Sequence, residues 1–156
     1  MVVLKTIPRI LSPELLTVLA RMGHGDEIVL ADANFPSASV SKCGPELIRA
    51  DGHGIPSLLK GVMQLLPLDT YTAAPVLLMD LVPSDKMKAL KTPVWDEYKK
   101  IINQAEGKII EIELLERFAF YERAKNAFAV VATGEGALYG NIILKKGVLA
   151  PEAKEN

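Results

Sequence analysis

The chain has 156 residues, 49% of them hydrophobic and 24% charged, with a formal net charge of −1. That length suits one compact domain able to bury an apolar core without disulfide or metal staples, and the composition excludes a disordered chain. With no basic stripe and no apolar run long enough to cross a bilayer, neither a nucleic-acid nor a membrane partner is expected.

Taken in chain order, Ser12-Pro13-Glu14 opens a helix. Ser12 caps free amides, Pro13 suits the first helical position, and Glu14 complements the positive end of the dipole. Leu15, Leu16, Leu19 and Met22 recur at helical spacing, and Gly23 is expected to end the helix in a left-handed conformation. Glu27 to Ala31 reads as a buried strand and Leu47-Ile48 as a short one. A second helix begins at Pro56 and is stopped by Pro67. VLLMDLV after Pro75 is another buried strand, and Ser84-Asp85 caps a short helical turn. Val94 to Glu106 is a helix closed by Gly107, KIIEIELL a strand, RFAFYERAKNA a helix, and FAVVAT and NIILKK the last strands. Strands alternating with helices predict α/β architecture with a largely parallel sheet. Residues 1–150 form a single domain on this reading, and 151–156 a solvated tail.

In open α/β sheets, ligands gather beyond the carboxyl ends of the strands. That draws attention to GHGDEIVLADANFPS. His24 stands between two glycines, directly before a buried strand, and an imidazole exchanges protons near neutral pH. Asp32 ends the same strand, where a carboxylate can accept hydrogen bonds from sugar hydroxyls. Each has an ordinary alternative, His24 as a surface turn residue and Asp32 as a cap. His53, also between glycines, stands just before the Pro56 helix, and Asp69 follows Pro67. Further along, Arg117 and Arg123 offer fixed donors, while Tyr121 and Tyr139 offer hydroxyls and ring faces suited to a sugar. Phe118, Phe120 and Phe128 are assigned to the core, and the basic residues of that helix have an alternative as a solvated face. ATGEGALYGN lacks the spacing of a phosphate-binding loop or dinucleotide fingerprint, and no zinc-type ligand pattern or nucleophile elbow occurs. Metal-free acid–base chemistry or simple binding is left. Cys43 is the only cysteine, which fits a reducing compartment, and no signal peptide is expected at MVVLKTIPRIL.

The segments LSPELLTVLARMGHGDEIVLADANFPS, IRADG, PLDTYTAAP, RFAFYERAKNAFAVVATGE and YGNIILKKG, in this order, closely resemble the fucose mutarotase branch of the ribose pyranase/fucose mutarotase family, in its vertebrate form. The resemblance runs from about residue 4 to residue 148. It implies a three-layer α/β/α fold and a ring-shaped homo-oligomer, often a decamer, with pockets near subunit contacts. It implies a cytoplasmic isomerase that interconverts the anomers of a free sugar without a cofactor, with L-fucose as substrate and D-ribose as the alternative. By the same resemblance His24 transfers the proton. Asp32, Asp69 from LDTY, Arg117 and Tyr121 from RFAFYERA, and Tyr139 and Asn141 from YGN hold the sugar. The resemblance gives His53 no catalytic role.

Overall fold

The structure, a computed structural model, describes residues 3–151. Six helices, α1 (Pro13–Arg21), α2 (Ser37–Ser41), α3 (Ile55–Met63), α4 (Pro83–Met87), α5 (Pro93–Glu106) and α6 (Arg117–Lys125), surround one sheet of six strands. The strands are β1 (Glu27–Ala31), β2 (Glu46–Ala50), β3 (Val76–Met79), β4 (Ile112–Leu115), β5 (Ala129–Thr133) and β6 (Ile142–Lys145), in the order β2-β5-β1-β6-β3-β4. All neighbours pair in parallel except β6, which runs antiparallel to both β1 and β3.

Strand alternation divides the core into two. Ile28 and Leu30 of β1 face one side, where they join Leu15 and Val18 of α1, Leu58, Leu59 and Val62 of α3, and Tyr98 and Ile102 of α5. Val29 and Ala31 face the other side, with Phe35, Val40 of α2, and Phe120 and Ala124 of α6. Helices on both faces make the three-layer α/β/α arrangement, and explain why β1, β3 and β5 are apolar nearly throughout. Each fully buried Val, Leu or Ile contributes roughly 1.5–3 kcal/mol relative to exposure.

Ser12 caps α1 as expected, its hydroxyl accepting from the Leu15 amide at 3.1 Å. Gly107 closes α5 in the left-handed region at φ 70°. Four expectations need correction. Gly23 does not end α1 in a left-handed conformation: Met22 leaves the helix extended so that its side chain stays in the core, and the positive φ of 87° falls on Gly25. Ser84 and Asp85 lie inside α4, whose cap position is Val82, so neither caps it. Phe118 is 65% exposed. Two residues apart on a helix lie on opposite sides, and Phe120 takes the sheet-facing position. Arg123 of α6 is not part of a solvated face, because its guanidinium grips the Glu27 carboxylate in two bonds of 2.7 and 2.8 Å. The expected tail lies, apart from Pro151, outside the described residues. Among the described residues no helix is long and apolar enough to cross a membrane.

Candidate active site

A cleft of about 300 Å³ opens beyond the carboxyl ends of β1 and β3, where β6 begins. Asp32, Arg117, Tyr121, Tyr139 and Asn141 all line it, joined by Asn34, Phe35, Met79, Val82, Asp85 and Leu138. The position beside the antiparallel β6 is where a ligand site is expected in an open α/β sheet.

Asp32 is the floor of this cleft and is 6% exposed. Its Oδ1 accepts from the Asn34 amide at 3.0 Å and its Oδ2 from the Gly140 amide at 3.2 Å. Its own amide donates to Asn141 Oδ1 at 2.7 Å, which fixes the Asn141 carboxamide. Burial pushes the Asp32 carboxyl above its ordinary range, against the pull of these backbone amides.

The YGN segment is clamped by aromatic side chains of α5. Trp95 Nε1 donates to the Tyr139 carbonyl at 2.8 Å, and the Tyr98 hydroxyl to the Gly140 carbonyl at 2.7 Å. Tyr139 sits in the left-handed region at φ 56°, unusual for a bulky residue and the kind of outlier that concentrates at functional sites. Its hydroxyl donates to Asp85 at 2.5 Å and accepts from the Val82 amide at 3.2 Å. Burial, with Asp85 second, raises the Tyr139 phenol above its usual range. On the opposite wall, Arg117 Nε donates to the Tyr121 hydroxyl at 3.2 Å, and its guanidinium lies 5.5 Å from the ring centres of Phe118 and Tyr121. Hydroxyl acceptors, amide and guanidinium donors and ring faces thus converge on one polyol-sized space.

His24 and Asp69 are not in this cleft. They lie at the other end of the sheet, strapped to the end of β6 and the residue after it: the Asp69 amide donates to the Lys145 carbonyl and the Gly25 amide to the Lys146 carbonyl. His24 Nε2 and Asp69 Oδ1 are 2.9 Å apart. The five residues of β1, rising about 3.3 Å each, separate the two groups by roughly 16 Å within one chain. His53 is exposed beyond β2; its carbonyl accepts from the Gly134 amide, and it does not line the cleft. Asp85 was missed by sequence reasoning. No spacing marks it, and it reaches the cleft because α4 is anchored by the Lys86–Asp80 ion pair at 2.6 Å.

Residues 5–149 match the model of the RbsD / FucU transport protein family. A fucose mutarotase of Bos taurus is 67% identical over 153 residues, covering 97% of this chain and 98% of the bovine one. Among solved structures, the fucose mutarotase of Streptococcus pneumoniae in complex with L-fucose is 49% identical with a TM-score of 0.86, covering 94% of this chain and all (100%) of that one. Bacillus subtilis RbsD complexed with D-ribose is more distant, at 26% identity and a TM-score of 0.70 over 90% of this chain and 95% of that one. With the matched span taking in both the cleft and the His24 end, this chain belongs to the RbsD / FucU transport protein family.

Proposed function

We propose that this chain is a sugar mutarotase, interconverting the α and β anomers of free L-fucose by opening and reclosing the hemiacetal ring. The observation that carries the reading is near-full-length identity to fucose mutarotases, in a chain whose cleft brings together five of the expected sugar-contacting residues. Asp32 accepts from sugar hydroxyls, Asn141 and Arg117 donate, and Tyr121 and Tyr139 offer hydroxyls and ring faces. In ring opening one proton leaves the anomeric hydroxyl and one arrives at the ring oxygen as the bond from that oxygen to the anomeric carbon breaks. His24 handles one of these protons, and a tyrosine hydroxyl or a water molecule the other. No carbon–hydrogen bond is touched, so a general acid–base group, worth about 10²–10⁴-fold, is sufficient help. Activity is accordingly expected to survive exhaustive EDTA treatment; loss on chelation with recovery on added zinc or manganese would overturn the scheme.

The His24 end and the cleft cannot meet within one chain, so the reading requires that copies pack with one protomer's His24 facing its neighbour's cleft. Exposed apolar side chains at both ends suit such contacts: Tyr71 beside His24, and Phe118 and Leu138 around the cleft. Light scattering should give a mass several times the 17.0 kDa of one chain. A cytoplasmic setting is supported by Cys43, a free and exposed thiol suited to a reducing compartment.

Saturation-transfer NMR on L-fucose with catalytic amounts of protein tests the activity directly, since it reports anomer exchange at equilibrium. The same measurement on D-ribose tests the second substrate, which the likeness to the D-ribose-bound structure favours. Binding of either sugar without accelerated exchange would replace the enzyme with a sugar-binding protein.

Asp32 gives a further prediction. Asp32→Asn is expected to weaken L-fucose binding by about 1.5–3 kcal/mol, the worth of a hydrogen bond to a charged group. With its carboxyl raised by burial, the anion is lost as pH falls through a range above the ~3.9 of a free aspartate. Wild-type affinity should therefore weaken on acidification while the variant's stays flat. Calorimetry at several pH values checks both; equal affinities would remove Asp32 from the site.

A further inference from the structure

α4 is a helix of five residues that buries none of them, with Val82 at its cap position. Even so, Val82 and Asp85 form one wall of the cleft. This wall holds Tyr139 from two sides. The Tyr139 hydroxyl donates to Asp85 Oδ2 at 2.5 Å and accepts from the Val82 amide at 3.2 Å. A phenol has one hydrogen to donate, and that hydrogen is committed to Asp85. Tyr139 is left with a lone pair and a ring face to offer the sugar.

Asp85 itself is far from saturated. An ionised carboxylate has about four acceptor positions, and among the described residues only the Tyr139 hydroxyl donates to this one. Oδ1 receives nothing. The adjacent Lys86 does not neutralise it, because its ammonium pairs with Asp80 at 2.6 Å. A half-buried carboxylate with one donor is set to accept another. On the opposite wall, Arg117 spends Nε on Tyr121 and has four further N–H groups. One wall accepts and the other donates. A polyol, whose hydroxyls each donate and accept, fits between them.

We propose that Asp85 is a specificity-determining residue that contacts the sugar: Oδ2 holds the Tyr139 hydroxyl while Oδ1 accepts a hydrogen bond from one hydroxyl of the substrate. This rests on the reading of the cleft as the L-fucose site, and adds a second carboxylate to it beside Asp32. A site built to accept from a hydroxyl rejects an analogue that lacks it, because the carboxylate is then left without its donor. Asp85 thus selects a sugar that carries a hydroxyl facing α4.

Calorimetry with L-fucose and a series of its deoxy analogues, each lacking one hydroxyl, tests this on the intact protein. Asp85→Asn is isosteric and lies on a helix with no buried residue, so the fold should hold; circular dichroism checks it. The variant should bind L-fucose about tenfold or more weakly, the loss of a charge-assisted hydrogen bond. It should also lose the wild-type discrimination against one analogue and keep the others. A residue that merely anchored Tyr139 would weaken every ligand alike. Asp85→Asn should therefore still cost affinity in a Tyr139→Phe background, where no phenol hydroxyl is present to be anchored. Unchanged L-fucose affinity would overturn the proposal. So would an unaltered pattern across the analogues, or no effect in the Tyr139→Phe background. If wild-type protein fails to bind L-fucose, or Asp32→Asn leaves its affinity unchanged, the cleft itself is not the sugar site. Asp85 then loses its role with it, an outcome distinct from failure at Asp85 alone.

Discussion

Asparagine in place of His24 is expected to lower anomer exchange by roughly 10²–10⁴-fold, the range for loss of a general acid–base group. The fold should tolerate the change. His24 is half-exposed outside both core clusters, and its loop is held by backbone bonds, the Gly25 amide to Lys146 and the Asp26 amide to Gly23. Sugar binding should also persist, because the cleft proposed to hold the hydroxyls is built from the other end of the sheet. His53→Asn is the matched control, since both histidines stand between glycines. The imidazole of His53 is solvent-facing and its structural contribution is its backbone, whose carbonyl receives the Gly134 amide. That variant should keep most of its activity. Saturation-transfer rates, with circular dichroism to confirm folding, decide between them. Near-normal exchange in the His24 variant would sink the mechanism, and a severe loss in the His53 variant alone would move it to the other histidine.

Most elements were legible in the sequence because their signals were local and agreed with each other. Ser12-Pro13-Glu14 at the start of α1, Gly107 after α5 and the apolar runs of β1, β3 and β5 each carry a start, a stop or a period that tertiary packing did not need to override. α2 was not legible: SASVS has no apolar period and no cap, and it is helical because Ser37 and Val40 are buried between α6 and the sheet. The cleft residues were named by motif, yet their grouping comes from topology. Tyr139 and Asn141 reach Asp32 because β6 enters the sheet antiparallel, beside β1, with its first residue at the carboxyl ends of the parallel strands. Asp85, Trp95 and Tyr98 carry no motif at all, and their roles follow from where α4 and α5 set them against Tyr139 and Gly140. His24 and Asp32 are close in sequence but not in space. They bracket the same strand, and an extended strand keeps its ends apart.

That separation leads to the second large effect, a restoration rather than a loss. If one protomer's His24 serves the cleft of its neighbour, two inactive variants carry complementary defects. His24→Asn protomers keep an intact cleft; Asp32→Ala protomers keep an intact His24 and Asp69 pair at the other end of β1. Each alone should exchange anomers poorly. Unfolded together in equal amounts and refolded, they assemble at random. A site is whole when its histidine comes from an Asp32→Ala chain and its cleft from a His24→Asn chain. About one site in four meets that condition in a mixed closed oligomer. Exchange should therefore recover to roughly a quarter of the wild-type rate per site, far above either parent. Mixing the variants without unfolding should restore little if the subunits exchange slowly, which ties the recovery to shared sites rather than to impurity. Recovery should also require both variants, peak at equal proportions and fall away on either side. Were the two ends of β1 to act independently, or were each chain to complete its own site by some rearrangement, the refolded mixture would do no better than the average of its parents. That result would end the shared-site reading while leaving the cleft, and the Asp32 affinity measurement, untouched.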